Sequence, residues 1–187
     1  MHQPEFHLRL PDWLIQHLNK PLPAFISDQQ KMAWVIELSR HNSANDGGPF
    51  AAAVFDSSTN ELISVGANLV IPTNCSVMHA EIVALIMAQQ KTGRYHLEQN
   101  SEHSYELFST TEPCAMCMGA IPWAGISRLV CGARDEDARK IGFDEGDKPD
   151  DWMKKFSQRN ISVVRDLCRH EATQVLEQYA QQHGTLY

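Results

Sequence analysis

Two short stretches of the sequence bring metal-binding and acid–base residues close together along the chain. His79 and Glu81 lie two positions apart in His-Ala-Glu, and Cys114 and Cys117 lie three positions apart in Pro-Cys-Ala-Met-Cys. Thiolates and imidazoles are ligands that zinc takes in tetrahedral sites. Two cysteines three apart at the start of a helix both reach one ion, and the helix dipole favours their thiolate forms.

One imidazole and two thiolates make three protein ligands, the pattern of a catalytic zinc whose fourth position is open to water. Zinc lowers the pKa of a bound water to about 7, so a neighbouring carboxylate can take its proton and pass it to a substrate. We therefore expect His79, Cys114 and Cys117 to hold one zinc ion. We expect Glu81 to move protons without binding the metal.

Two less specific explanations remain open at this point. A Cys-x-x-Cys motif also occurs in redox-active and in merely packed cysteine pairs, and a His-x-Glu tripeptide arises by chance. A closed, structural zinc would need a fourth protein ligand, for which Cys75, His96 and Cys131 are the candidates. The protein would then be a non-catalytic scaffold or binding module that zinc stabilises.

The motifs sit where predicted helices begin, in a chain that alternates strand and helix patterns. The patterns predict helices over 12–18, 28–41, 80–90, 114–125, 133–142 and 170–182, and strands over 49–56, 61–70, 105–111, 127–133 and 161–165. The turn SSTN predicts an antiparallel hairpin of the first two strands, and the later strand–helix–strand units favour parallel pairing. We expect one α/β domain with a mixed sheet over 28–187, and an N-terminal extension over 1–27 packed on it.

The composition excludes several classes of protein. The 187 residues include 23 acidic and 16 Lys or Arg residues, for a net charge of −7, so a strongly basic nucleic-acid-binding surface is not expected. The longest near-apolar run, 114–126, is interrupted by glycine and proline and is shorter than the roughly 18 residues of a membrane span. No secretory signal pattern opens the sequence, so we expect a cytoplasmic protein with reduced or metal-bound cysteines.

The pairing of His-Ala-Glu with Pro-Cys-x-x-Cys resembles the zinc nucleobase deaminases of the cytidine-deaminase-like superfamily. The likeness runs from Gly48 to Arg139. It implies a three-layer α/β/α fold around a five-stranded mixed sheet, with zinc on the histidine and the two cysteines named above. It also implies hydrolytic deamination, in which zinc-bound hydroxide attacks the amino-bearing carbon, Glu81 shuttles protons and ammonia leaves.

Two further segments resemble the guanine deaminase branch of this superfamily: TEPCAMCMGAIPWA over 111–124 and Gly-Phe-Asp-Glu over 142–145. The resemblance implies a purine base as substrate, with guanine converted to xanthine. By position it implies a base pocket formed by Phe50, Asn68, the backbone of Ala80, Trp123, Glu145 and Tyr187. Glu145 would accept hydrogen bonds from N1–H and the 2-amino group of guanine and help protons reach the departing ammonia. Adenine and cytosine place an acceptor there, and an unpaired acceptor costs about 1–3 kcal/mol.

The resemblance also implies a homodimer and a lid formed by the tail 183–187. Deaminases of adenosine in transfer RNA, and of cytosine or other small heterocycles, share the zinc motifs and remain alternatives. The net charge and the last helix, in which HEATQVLEQYAQQ contains no Lys or Arg, argue against binding of RNA phosphates.

Overall fold

The computed structural model describes residues 3–98 and 102–187, so the first two residues of the predicted N-terminal extension lie outside it. In chain order its elements are α1 (Asp12–Leu18), α2 (Asp28–Ser43), β1 (Ala51–Asp56), β2 (Leu62–Ala67), α3 (Val70–Thr73), α4 (Ala80–Thr92), β3 (Tyr105–Thr111), α5 (Ala115–Ala124), β4 (Arg128–Ala133), α6 (Asp135–Ile141), α7 (Trp152–Ser157), β5 (Ser162–Val164) and α8 (Arg169–Gln181). Within these ranges no helix has both the length and the apolar character needed to cross a bilayer.

The five strands form one mixed sheet in the order β2-β1-β3-β4-β5. The β1–β2 hairpin is antiparallel and β1 is also antiparallel to β3, whereas β3, β4 and β5 run parallel. Parallel neighbours need crossover connections, which α5 supplies between β3 and β4, and α6 with α7 between β4 and β5. The predicted five-stranded mixed sheet and its strand directions are confirmed.

Helices cover both faces of the sheet, which gives the predicted three-layer α/β/α architecture. Successive side chains of a strand point to opposite faces, so β1 contributes Ala51, Ala53 and Phe55 to one core, and Ala52 and Val54 to the other. The first core lies against α2 and α8, and the second lies against α4, α5 and α7. Because both faces are covered, every residue of β1 and β3 is buried.

Two local predictions differ from the structure: Asp28 as the N-cap of the helix over 28–41, and the end of the second strand. Asp28 is the first residue of α2, and Ser27 is the N-cap whose side chain accepts a hydrogen bond from the Gln30 amide. The second strand was expected to reach residue 70, but it ends at Ala67 and the short helix α3 follows.

Helix α7 lies in a stretch, 147–161, for which the sequence offered no interpretation. Trp152 and Phe156 anchor it in the second core, where their rings meet edge to face at 5.5 Å. The N-terminal extension also reaches a core, since Leu10 and Leu14 are buried in the first one and Phe25 contacts Phe55 edge to face. The division into an extension and a domain stays a prediction.

A buried ion network joins α2 to the beginning of β3 and β4. The Lys31 side chain is 2% exposed, and its Nζ lies 2.5 Å from Oε1 of Glu106 and 2.6 Å from Oδ1 of Asn60. Nη1 of Arg128 lies 2.5 Å from the other Glu106 oxygen, and Arg128 also pairs with Asp28. Buried charges are costly unless they are paired, so Glu106 neutralises two cations at this end of the sheet.

We expect Glu106→Gln to lower the free energy of unfolding by about 3–5 kcal/mol, because it leaves the Lys31 ammonium without its buried counter-charge. Urea denaturation measures this. Glu37→Gln is the matched control, since it removes an exposed partner of Arg40 and should cost no more than about 1 kcal/mol. Equal losses in the two variants would contradict the assigned role of the network.

Candidate active site

The His79 and Cys114 side chains are brought together because two helices begin at the same edge of the sheet. His79 is the N-cap of α4 and Cys114 is the N-cap of α5, and both have extended backbone, so each side chain lies just before its helix. The start of α4 lies directly on β2, where a Cβ on Gly66 would fall 2.0 Å from the Ala80 carbonyl oxygen. Only glycine permits that approach.

The ligand atoms of His79, Cys114 and Cys117 all lie within 4.8 Å of one another. Sγ of Cys114 is 3.4 Å from Nδ1 of His79. Among the residues that the structure describes, the group with this geometry has just these three members. The three alternative cysteine and histidine ligands considered above are outside it, so this arrangement suits one zinc ion with three protein ligands, as predicted.

The protonation chemistry of the two thiols also fits a metal centre. A hydrogen bond from Cys117, together with the His79 imidazole, lowers the pKa of Cys114 to about 4. The same pairing, reinforced by burial, raises the pKa of Cys117. Burial opposes the charged imidazole, but the neighbouring Cys114 and Glu81 outweigh it and raise the pKa of His79. One thiolate is therefore present near neutral pH, and the second forms when a metal displaces its proton.

Glu81 lies in the first turn of α4, beside the three ligands but outside their group. Oγ of Ser109 donates to its Oε1 at 3.2 Å, and Sγ of Cys117 lies 3.5 Å from its Oε2. Burial and the charge of Cys114 raise the pKa of Glu81. A buried carboxyl held in this way can both take up and release a proton, the property expected of a general acid–base.

A cavity opens on this centre and collects most of the residues assigned to the base pocket. Its wall contains His79, Glu81 and Cys114 and, from the sequence prediction, Phe50, Asn68, Glu145 and Tyr187. Thr111, Glu112, Phe143 and Asp144 also line it and were not identified from the sequence as site residues. Phe143 lies inside the Gly-Phe-Asp-Glu segment, which was the one signal that pointed to it.

Asn68 and Tyr187 close one side of the cavity. The Tyr187 hydroxyl donates to Oδ1 of Asn68 at 2.5 Å, and the Tyr187 ring contacts Phe143 with centroids 5.2 Å apart. Asn68 is 1% exposed, and Asn42 fixes its backbone by donating to its carbonyl oxygen. A Cβ on Gly48 would lie 2.3 Å from the Tyr187 hydroxyl, so a glycine there leaves room for the tail.

Glu145 is 5% exposed and reaches the cavity from the loop after α6. The Ala115 amide donates to its backbone oxygen at 2.9 Å, which ties the loop to the first turn of α5. Burial, then the charges of Cys114 and Glu81, raise the pKa of Glu145 to about 8. A second proton-carrying carboxyl therefore faces the same space as Glu81.

Two predicted base-pocket residues lie outside the cavity wall. Ala80 is buried at the first position of α4, between His79 and Glu81. Trp123 is 78% exposed on the outer side of α5, away from the cavity of this chain, so its role in the base pocket stays a prediction. Residues of a helix follow one another at about 100°, so Trp123 projects about 200° around α5 from the buried Ile121.

The structure closely matches solved deaminases. A guanine deaminase from Nitrosomonas europaea superposes with a TM-score of 0.91 at 42% identity, covering 97% of this chain and 100% of that one. A chain solved in complex with 2,6-diaminopurine has a TM-score of 0.91 at 43% identity, covering 97% of this chain and 95% of that one.

Curated relatives match over shorter stretches. The guanine deaminase of Bacillus subtilis is 35% identical over 55% of this chain and 62% of its own length. The tRNA-specific adenosine deaminase of Haemophilus influenzae is 36% identical over 62% of this chain and 63% of its own length. The match thus spans less than two thirds of each of these two relatives.

A family model describes the same part of the chain that carries both motifs. The model for the cytidine and deoxycytidylate deaminase zinc-binding region matches residues 26–133, which include the whole of β1 to β4 and all three metal ligands. That match covers more than half of the 187 residues. The chain therefore belongs to the family of the cytidine and deoxycytidylate deaminase zinc-binding region.

Proposed function

We propose that the protein is a zinc-dependent aminohydrolase that converts guanine and water to xanthine and ammonia. The observation that carries this proposal is a cavity whose wall holds the metal ligands His79 and Cys114, the buried Glu81, and the polar side chains of Asn68 and Glu145. Cys117 completes the group of three ligands. A structural zinc site would need neither the cavity nor the second carboxyl.

The residues around the metal have separable tasks. When bound by His79, Cys114 and Cys117, a zinc ion supplies the Lewis acid that activates water for attack on the amino-bearing carbon. Glu81 takes a proton from that water and returns a proton to the leaving nitrogen. Ser109 holds one carboxylate oxygen of Glu81, which fixes the direction in which the other points.

The polar groups in the cavity fit the hydrogen-bonding edge of guanine. Ionised Glu145 accepts from N1–H and from the 2-amino group, and those two donors favour its charged form when the base is bound. The amide of Asn68 can donate and accept at another edge, and the rings of Phe50 and Phe143 supply apolar walls. In support, the structural neighbours were solved with 2,6-diaminopurine and 8-azaguanine, and both ligands carry an amino group at carbon 2.

Deamination of adenosine in transfer RNA is the second candidate, since a tRNA-specific adenosine deaminase is 36% identical over part of the chain. Binding RNA phosphates requires free cationic side chains. The net charge is −7, and Arg169, the one Lys or Arg of α8, pairs with Asp137 and Glu136. A solved tRNA deaminase is also a more distant structural neighbour, with a TM-score of 0.60 at 27% identity.

Ammonia release from a panel of substrates tests the activity, with zinc measured per chain. Guanine, adenine, cytosine, cytidine and an adenosine-containing tRNA stem-loop are compared. We expect about one zinc per chain and turnover of guanine at least 100-fold above that of the others. Equal or faster release from the stem-loop or from cytosine would overturn the choice of guanine.

In the same assay we expect Glu81→Gln to lower kcat by at least 1000-fold while the zinc content stays at the wild-type level, because the amide cannot carry the proton. Cys117→Ala is the paired control, since it removes a ligand and should lose zinc together with activity. A Glu81→Gln variant that keeps both zinc and deaminase activity would show that another group moves the proton.

We further propose that the tail 183–187 is the lid of this cavity, with Tyr187 as a base-pocket residue. Deletion of 184–187 removes the Tyr187 hydroxyl from Asn68 and exposes the metal ligands to solvent. We expect kcat/KM for guanine to fall at least 10-fold with zinc content and thermal midpoint almost unchanged. Wild-type turnover in the truncated protein would show that the tail is not a lid.

We propose that two copies of the chain associate through the outer face of α4 and α5. Trp123 is 78% exposed there, between a groove lined by Met118, Trp152 and Phe156 and a second groove that includes Leu85 and Tyr95. Large exposed apolar patches mark interaction surfaces, and a second copy would cover Trp123 and both grooves. The superfamily resemblance supports a homodimer as the occupant.

The dimer proposal predicts that Trp123→Glu gives a monomer by light scattering at a concentration at which the wild type has twice the mass of one chain. The introduced carboxylate would be buried without a partner in the interface. Ile26→Glu is the matched control, because Ile26 is also 78% exposed but lies outside this face. A wild type of single-chain mass, or a dimeric Trp123→Glu, would contradict the interface.

We also propose a cytoplasmic location. All five cysteines are free thiols in the structure, including the two metal ligands, and such cysteines persist in a reducing compartment.

A further inference from the structure

The hydroxyl of Thr111 is a buried polar group that no protein atom satisfies. Among the described residues, three buried side-chain atoms have no hydrogen-bond partner: Nε1 of Trp13, Nδ1 of His96 and Oγ1 of Thr111. Of the three residues, only Thr111 lines the cavity at the metal centre. It is 3% exposed, so bulk water does not compensate the loss. Buried polar groups are almost always paired, and an exception at a site calls for a ligand.

The strand places this hydroxyl on the reactive side of the sheet. Side chains two apart on a strand share a face, so Thr111 lies on the same side of β3 as Ser109, whose hydroxyl binds Glu81. Thr110 lies on the opposite side, where its hydroxyl accepts from the Ala51 amide at 3.2 Å. Thr111 is therefore the next side chain beyond the Glu81 contact in the direction of Cys114.

The Glu112 carboxylate, the other polar group at the end of β3, already has partners for both of its oxygens. One carboxylate oxygen of Glu112 pairs with Arg165, and the other accepts from the Asp135 amide at 3.2 Å. Glu81 is held by Ser109 and lies beside Cys117. Thr111 thus offers an uncharged acceptor next to the proton-carrying carboxyl, and it has no competing partner in the protein.

We propose that the Thr111 hydroxyl is a substrate-binding group that accepts a hydrogen bond from the exocyclic amino group that leaves as ammonia; this rests on the proposed deaminase function. Glu81 must be within hydrogen-bond reach of that nitrogen to return a proton to it. Thr111 lines the same cavity as Glu81 and shares a face of β3 with Ser109, which binds Glu81, so its hydroxyl is placed beside the leaving nitrogen.

The role requires no chemical change in Thr111. Water oxygen bonds to carbon 2 of guanine while Glu81 moves one water proton to ring nitrogen 3. The bond from carbon 2 to the amino nitrogen then breaks with its electron pair going to that nitrogen, which gains the second water proton through Glu81 and leaves as ammonia. The water oxygen remains as the carbonyl oxygen at carbon 2 of xanthine. The threonine lone pair accepts one N–H of the amino group and of the departing ammonia, which directs the nitrogen lone pair toward Glu81.

Thr111→Val tests the proposal because it keeps the shape and removes the hydroxyl. We expect kcat/KM for guanine to fall 10- to 100-fold, with a thermal midpoint equal to or above the wild-type value, since an unpaired buried hydroxyl is lost. Thr111→Ser should keep activity within about threefold. Thr110→Val is the matched control: it leaves the Ala51 amide unpaired, so it should lower the midpoint while kcat/KM stays within twofold.

Binding in the Glu81→Gln background provides a readout that does not depend on turnover. Calorimetry compares 8-azaguanine with hypoxanthine, which lacks the 2-amino group. Thr111→Val should weaken 8-azaguanine at least 10-fold and leave hypoxanthine unchanged. Equal effects on both ligands, or none on either, would overturn the proposal. If Thr111→Val does not fold, Thr111→Ala is compared with Thr111→Ser instead. Equal activity of these two variants would also overturn the proposal.

The design separates failure of this proposal from failure of the guanine assignment. If the wild type deaminates a different base, the Thr111→Val and Thr110→Val ratios are measured on that base, because every substrate of the reaction has a leaving amino group. A selective loss in Thr111→Val then supports the hydroxyl whatever the base is. Wild-type rates in Thr111→Val on the preferred base reject it.

Discussion

The convergence of one imidazole and two sulfurs at the start of two helices is the constraint on which the rest of the site depends. It exists because α4 and α5 both begin at the edge where β3 ends, and their N-caps His79 and Cys114 turn their side chains away from the helices. Parallel pairing of β3 with β4 forces the chain through the crossover helix α5. The sheet topology therefore places the Cys-x-x-Cys motif beside His79.

Charge in the cavity follows from that arrangement. Two carboxyls, Glu81 and Glu145, are buried near an ionised Cys114, and burial with this negative charge raises both of their pKa values. A divalent cation between the thiolates offsets the repulsion and favours ionised carboxylates. Metal binding therefore changes the protonation of both carboxyls. At the opposite end of β3, the ion network of Lys31 and Glu106 stabilises the fold.

How far the sequence predicts this site depends on how local each signal is. Spacing within one helical turn predicted that Cys114 and Cys117 share a neighbourhood, and the pairing of the two motifs predicted that His79 joins them. Asn68 and Glu145 were assigned from motif resemblance, and both line the cavity. The exposure of Trp123 was not predictable because α5 is apolar on nearly every side, so its pattern does not show which side faces the sheet. Thr111 escaped notice because an unpaired hydroxyl is visible only when all its neighbours are known.

The contact between Gly66 and the first carbonyl of α4 makes the position of a metal ligand depend on a residue outside the site. The bare backbone of β2 lets the helix rest directly on the strand. Any larger residue there would act as a wedge that tilts the helix and carries the imidazole away from both sulfurs. Affinity for the ion is thereby set in part by a position that touches neither ion nor base, so selection acting on metal binding would constrain a strand residue with no chemistry of its own.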